Sequence, residues 1–174
     1  MGPLGETAKR HSQKLFPMRR IFITGMSGTG KTSVIEELRT RGFTAIDTDY
    51  DDWCELSTVN DESEWLLQED RLHALLAAPL TSPLFVSGCS SNQGKFYKFF
   101  DYKILFIAPL PVMRERVTSR TSNPYGKSEH EWAEICRNHE LIYPLLKQSA
   151  DFEIDSSTMT ITEIADLLTN LALN

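Results

Sequence analysis

The sequence predicts an α/β fold of three layers: a five-stranded parallel sheet flanked by helices. Two observations carry this expectation. From Arg20 onward, apolar runs of strand length alternate with helical patterns, the signature of β-α-β units around a parallel sheet. The first of these runs leads through a glycine-rich turn straight into an amphipathic helix, a join that aims backbone N–H groups at a ligand.

Residues 1–19 carry Lys9, Arg10, His11, Lys14 and Arg19 against one acid, Glu6, with no sustained periodicity. They read as a disordered leader or an expression-derived segment, in which case Met18 would be the native start. Residues 20–174 read as one domain. Strands are expected over Ile21 to Thr24, Phe43 to Ile46, Leu84 to Ser87, Ile104 to Ile107 and Phe152 to Ile154. After the first strand, Val34, Ile35 and Leu38 share one helical face, and Gly42 stands where a helix end is expected. Trp132, Ile135, His139, Ile142 and Leu146 keep helical spacing, although Pro144 is expected to kink or shorten that helix. A last helix is expected over Thr162 to Leu173.

Composition narrows the function classes. A chain of 174 residues with 41% hydrophobic content can bury enough surface for one self-sufficient core. Its net charge of −6 provides no positive field to gather polynucleotide phosphates. Cys54, Cys89 and Cys136 are odd in number and lack the paired spacing of zinc sites or disulfide frameworks. No apolar run approaches the roughly 20 residues that span a bilayer. These features point to a soluble cytoplasmic protein that engages neither nucleic acid nor membrane.

Gly25-Met26-Ser27-Gly28-Thr29-Gly30-Lys31-Thr32 matches the Walker A pattern, with a strand before it and a helix after it. Its glycines let successive N–H groups turn inward to a phosphate at the positive end of a helix. The nucleotide-binding candidates are Gly25, Ser27, Gly28, Thr29, Gly30, Lys31, Thr32 and Ser33. Lys31 is expected to reach the β- and γ-phosphates, and Thr32 to offer its hydroxyl to Mg²⁺. Asp47-Thr48-Asp49 follows the second expected strand, where such sheets place ligands. Either aspartate has an alternative use as a helix cap.

With the P-loop followed by this aspartate pair, residues 20–173 resemble the shikimate kinase, gluconate kinase and adenylate kinase group of small P-loop kinases. The resemblance implies a nucleoside-kinase-like P-loop NTPase fold that uses ATP and Mg²⁺. In shikimate kinases, one carboxylate of the pair supports the magnesium waters and the other holds the acceptor hydroxyl. By position Asp47 takes the first role and Asp49 the second. The third strand ends in Ser87-Gly88-Cys89-Ser90-Ser91 and lacks the Walker B aspartate of many ATPases, which argues against motor-type ATPases. Cys89-Ser90-Ser91 with Lys95 and Tyr97 is similar to the same stretch of gluconate kinases, although Cys89 also fits as a small buried residue.

Pro111 opens a helix with Arg114, Arg116 and Arg120, followed by a turn sequence, Asn123-Pro124-Tyr125-Gly126. This segment looks like the lid of adenylate-kinase-like enzymes, and the lid is expected near 121–128. Arg116 and Arg120, four apart, would share a helix face and clamp phosphates; a solvated basic face is the alternative. Asp155-Ser156-Ser157 resembles the loop near the adenine.

The acceptor region is expected at about 49–80. Between Phe43 and Asp70 the acids are Asp47, Asp49, Asp51, Asp52, Glu55, Asp61, Glu62, Glu64, Glu69 and Asp70, with no Lys or Arg. Kinases that accept a monophosphate hold it with arginines, and here only Arg71, Arg39 or Arg41 are at hand. The expected acceptor is therefore a neutral or cationic hydroxyl compound, with Trp53 and Trp65 as apolar or cation–π walls. The competing readings are a nucleoside-monophosphate kinase and a nucleotide-binding regulatory protein that transfers nothing.

Overall fold

A computed structural model describes residues 18–174. Along the chain the elements are β1 (Arg20–Thr24), α1 (Lys31–Thr40), β2 (Thr44–Asp47), β3 (Cys54–Val59), β4 (Glu62–Leu67), α2 (Glu69–Ala77) and β5 (Leu84–Ser87). A 3-10 helix (Gln93–Phe99) follows, then β6 (Tyr102–Ile107), α3 (Leu110–Ser119), α4 (Glu129–Ser149), β7 (Phe152–Asp155) and α5 (Ile161–Leu173). The expected five-stranded parallel sheet is present, in the order β2-β5-β1-β6-β7.

Alternation of side chains along each strand divides the core in two. One face packs Ile21, Ile23, Phe85, Ile104 and Phe106 against Val34, Ile35 and Leu38 of α1 and Ile164, Ala165 and Leu168 of α5. On the opposite face Phe22 and Val86 meet Leu72 and Leu76 of α2 and Phe96 of the 3-10 helix. Beside them Leu105 meets Met113 and Val117 of α3 and Ile135 and Leu146 of α4. Central strands buried on both faces explain why β1 and β5 read as continuous apolar runs.

Helix α1 ends as the sequence suggests. Gly42 has φ 87°, its N–H donates to the Arg39 carbonyl (2.9 Å), and the Phe43 N–H donates to that of Leu38 (3.1 Å). This is a Schellman cap, and it turns the chain directly into β2.

Two elements depart from expectation. Residues 54–67 form an antiparallel hairpin, paired from Cys54↔Leu67 to Val59↔Glu62. Its turn is Asn60-Asp61, with φ of 50° and 66°, the left-handed pair that a two-residue type I′ turn requires. The second departure is α4, which runs unbroken through Pro144. Pro144 lies on the exposed side, so water can take the carbonyl its missing N–H leaves free, while Ile135 and Leu146 anchor the helix on both sides.

Of the leader expected over 1–19, residues 1–17 lie outside the described residues. Arg19 is tied to the fold: its guanidinium donates to the Tyr102 phenol oxygen (2.5 Å), and its carbonyl accepts from the Leu84 N–H (3.0 Å). Among the described residues, no helix is long and apolar enough to cross a membrane.

Candidate active site

The loop from β1 to α1 leaves the sheet where the chain's path reverses, with β5 on one side of β1 and β6 on the other. Gly28 sits at φ 86°, and a Cβ there would come within 2.7 Å of the Met113 carbonyl. Only glycine fits that turn. Gly30, at the N-cap of α1, supplies no side-chain cap, so the N–H groups of the first helical turn stay available to an anion. Thr29 is buried, and its hydroxyl donates to the Met26 carbonyl (2.7 Å), while Ser33 is exposed. Lys31, 8% exposed, folds back so that Nζ donates to the carbonyls of Gly25 (2.7 Å) and Met26 (3.2 Å).

Strand β2 extends one residue further than expected, so Asp47 stands in the ladder opposite Ser87. It is buried. The Thr32 hydroxyl donates to its Oδ2 (2.6 Å), and the Asp49 N–H donates to its Oδ1 (3.2 Å). Two residues on, the Asp49 carboxyl opens into a cleft of about 790 Å³ that Gly25, Ser27 and Lys31 also line. The walls of this cleft strip water from Asp49 and, with the Asp47 charge, push its pKa up; Lys31 and Arg120 pull against them.

Among the described residues, no three or more His, Cys, Asp or Glu side chains gather as a metal site. The Thr32–Asp47 pair is instead one hydroxyl and one carboxylate beside a phosphate loop. That donor set suits Mg²⁺, which keeps several waters and completes its shell from substrate phosphates.

The arginines separate. Arg116 donates to the Ser156 hydroxyl (2.8 Å), the Ser156 carbonyl (2.8 Å) and the Gly28 carbonyl (3.3 Å). Arg120 does not share its helix face, because α3 ends at Ser119 and Arg120 is extended. The Thr121-Ser122-Asn123-Pro124 stretch cannot prolong the helix. Arg120 reaches into the lid instead and donates to the Tyr125 carbonyl (2.7 Å). Arg114 pairs with Glu129 on the surface.

In the acceptor region, Asp49, Asp51, Asp52 and Glu64 line the cleft with Trp53 and Trp65, and Lys31 is the basic residue among the lining. Arg71 backs the cleft without lining it: it stacks 3.9 Å over Trp53 and donates to the carbonyls of Asp51 and Asp52. One face of Trp53 is therefore taken, whereas Trp65 is 63% exposed. Arg39 donates to the Ala45 carbonyl, and Arg41 pairs with Glu37 and Asp166. Cys89 opens onto the cleft and is not a core residue; loss of water still raises its thiol pKa.

Three contributors escaped the sequence reading. Gln93 is buried, donates to the Thr24 hydroxyl (3.2 Å) and accepts from the Ser90 N–H (3.0 Å), and so pins the loop after β5 to the end of β1. Helix α4 supplies a cleft wall through Ile135, Asn138 and Ile142. The hairpin supplies the wall that carries Trp65, and its Asn-Asp turn was the signal that could have found it.

The model of the AAA domain family matches residues 21–137, and the chain belongs to that family. Its fold is the P-loop kinase fold. The shikimate kinase of Acinetobacter baumannii in complex with shikimate superimposes with a TM-score of 0.61 at 15% identity, covering 88% of this chain and 92% of the other. The shikimate kinase of Bacteroides thetaiotaomicron gives 0.58 at 17%, covering 88% and 98%. A deoxyadenosine kinase from M. mycoides with bound dATP gives 0.55 at 13%, again covering 88% and 98%. At such identities the likeness concerns the fold. No curated protein sequence matches the chain.

Proposed function

We propose that the protein is an ATP- and magnesium-dependent phosphotransferase acting on a hydroxyl of a neutral or cationic small molecule. One observation carries the reading: Asp49 opens into the same cleft as Lys31 and the glycine loop, while Asp47 stays behind them, bonded to Thr32. A magnesium nucleotide, when bound, supplies the transferable phosphoryl group and neutralises part of its charge. The chain's own residues then divide the work. Backbone N–H groups from Gly25 to Ser33 hold phosphate oxygens, and Lys31 exchanges the carbonyls of Gly25 and Met26 for phosphate. Thr32 and Asp47 hold the ion.

Asp49 orients the acceptor hydroxyl and accepts its proton at a carboxylate oxygen. Phosphoryl transfer asks more for an aligned nucleophile than for a strong base, so a carboxylate suffices. Arg116 and Arg120 stabilise charge on the transferring group as the lid around 121–128 closes and excludes water. A cytoplasmic setting accords with three free thiols at Cys54, Cys89 and Cys136.

The preference for an uncharged or cationic acceptor rests on the cleft's charge. An approaching monophosphate would meet Asp49, Asp51, Asp52 and Glu64, with Arg39 and Arg41 engaged elsewhere and Arg71 held behind Trp53 by the carbonyls of Asp51 and Asp52. Each like-charge approach at about 4 Å costs roughly 1 kcal/mol in water and several times more in a partly closed site.

The test is acceptor-dependent ADP release under one magnesium-ATP condition, with nucleoside monophosphates beside matched nucleosides, sugars and amino-sugars. Transfer is expected to an uncharged or cationic hydroxyl compound. Faster transfer to a monophosphate overturns the acceptor class, and no acceptor-dependent release from any compound counts against a transferase.

A further inference from the structure

Four large apolar side chains stand out of the surface further than any others among the described residues: Leu141 at 69% exposed, Trp65 at 63%, Leu145 at 61% and Leu56 at 59%. A single exposed leucine is ordinary, whereas large apolar side chains gathered at one place mark a surface that binds something. These four are gathered. Trp65 lines the cleft, and Leu56 is its directly paired neighbour across the hairpin, so both project from one face of that ribbon. Leu141 and Leu145 follow Asn138 by three and seven positions in α4, spacings that keep one helix face, and Asn138 lines the cleft too. Two walls of the cleft, the hairpin and α4, therefore each carry an apolar pair outward from the lining to the rim.

The charged groups of the lining are Asp49, Asp51, Asp52 and Glu64 against Lys31, which faces the phosphate loop. Acids inside and apolar side chains at the rim together fit a ligand that is cationic at one end and apolar at the other. The cleft's volume of about 790 Å³ lies in the upper part of the range for drug-sized ligands, about 300–1,000 Å³, so a small polyol would leave the rim untouched.

We infer that the rim is a subsite for the apolar portion of the acceptor, and that the acceptor is an amphiphilic amino alcohol. Its hydroxyl lies at Asp49, its ammonium among Asp51, Asp52 and Glu64, and its aliphatic or aromatic portion between the hairpin pair and the α4 pair. In the transfer the hydroxyl oxygen forms the new P–O bond as the bond to ADP breaks, and Asp49 takes the proton. The rim adds discrimination by length, because each methylene fully removed from water is worth about fourfold in affinity. The inference rests on the reading that this cleft holds the acceptor, and it names the part of the acceptor that does not react.

The experiment titrates the full chain, in magnesium-ADP, with N-methyl-, N-butyl- and N-hexylethanolamine by calorimetry, and with butoxyethanol as the uncharged counterpart of the butyl compound. Affinity is expected to rise at least about tenfold from N-methyl to N-hexyl, less than full burial would give because the rim stays partly wet. Trp65→Ala and Leu145→Ser should each cut that gain by at least about threefold and leave N-methylethanolamine binding and the ligand-free Tm unchanged. Leu167→Ser, at an exposed leucine of α5 on the other face of the sheet, should leave the whole series unchanged. Butoxyethanol should bind at least about fivefold more weakly than N-butylethanolamine, having lost its attraction to the acids.

Affinity that stays flat from N-methyl to N-hexyl overturns the inference. An equal loss of the gain in Leu167→Ser overturns it as well, since it would mean adsorption to any exposed apolar group. Equal binding of butoxyethanol overturns the substrate class. A wild-type dimer by light scattering that Trp65→Ala disperses gives the rim to a second copy of the chain and also overturns it. ADP release measured on the same compounds keeps this inference apart from the reading it rests on. Length-dependent binding without transfer upholds the apolar subsite and counts against the transferase, whereas transfer without length dependence upholds the transferase and overturns the subsite.

Discussion

Lys31 donates to two carbonyls of its own loop, which holds the ammonium beside the place a phosphate would occupy. Lys31→Ala should cut turnover by far more than tenfold, about 1.4 kcal/mol of barrier, and keep the native circular dichroism. Steady-state assay at saturating nucleotide checks this, and survival within tenfold would remove the loop from the mechanism. Asp47→Asn and Asp49→Asn should each lower turnover by at least about a hundredfold, but differently. Asp47 is bonded to Thr32, so raising magnesium should partly rescue its loss; Asp49 faces the cleft, so no metal should rescue it. Asp49 also carries a stability signature. Although Asp49 keeps solvent exposure at the cleft, partial loss of water there and the Asp47 charge raise its folded pKa, so ionising it costs the native state more than the unfolded chain. That cost is absent below pH about 4 and fully present once pH passes the folded value. Asp49→Asn should therefore raise Tm at pH 7 and leave it unchanged at the acid end, opposite to its effect on turnover. A Tm at or below that of wild type at pH 7 would show that the carboxylate is not strained.

Among the elements, α4 shows how packing overrides propensity. Pro144 sits inside a 21-residue helix, yet the apolar stripe on either side of it keeps the element continuous. Because Pro144 is exposed, it contributes little packing, and its cost is the missing bond. Pro144→Ala should stabilise the protein by about 1–3 kcal/mol, read as a higher urea midpoint with an unchanged m value. A lower midpoint would mean that the proline matters to the packing of the cleft wall. The hairpin formed by β3 and β4 makes a different point. It carries Glu64 and Trp65 to the cleft, and Arg71 clamps the turn at Asp51 and Asp52 to α2.

On the scale of the molecule, the cleft joins the glycine loop, the acceptor hairpin, the lid and α4, segments spread over more than a hundred residues. A ligand bound there draws on the whole fold and none of the unfolded chain. Magnesium-ATP at a hundredfold its Kd should add about 2.7 kcal/mol, a Tm rise of about 5–10 °C for a chain of this size. Magnesium alone should give much less, since the described residues offer no complete cage for it. A thermal melt with each ligand separately checks this, and equal shifts would mean a resident metal site.

Local chemistry made much of this legible before any coordinates. The Gly25–Thr32 loop, the Gly42 cap and the five core strands are each written in a few adjacent residues, because turn geometry and burial on both faces constrain residue type locally. The hairpin was harder to see: Trp65, Leu66 and Leu67 run together and hide the alternation, and its turn lacks glycine. What no local pattern carries is which distant groups meet. Arg116 finds Ser156, 40 residues on, and Gln93 finds Thr24, 69 residues back. Ser87 comes to rest beside Asp47 only through the strand order β2-β5-β1. A sequence states which side chains can be buried and how the chain can turn. Their partners are chosen when strands pair and helices pack across the sheet, which joins residues that have no pattern in common.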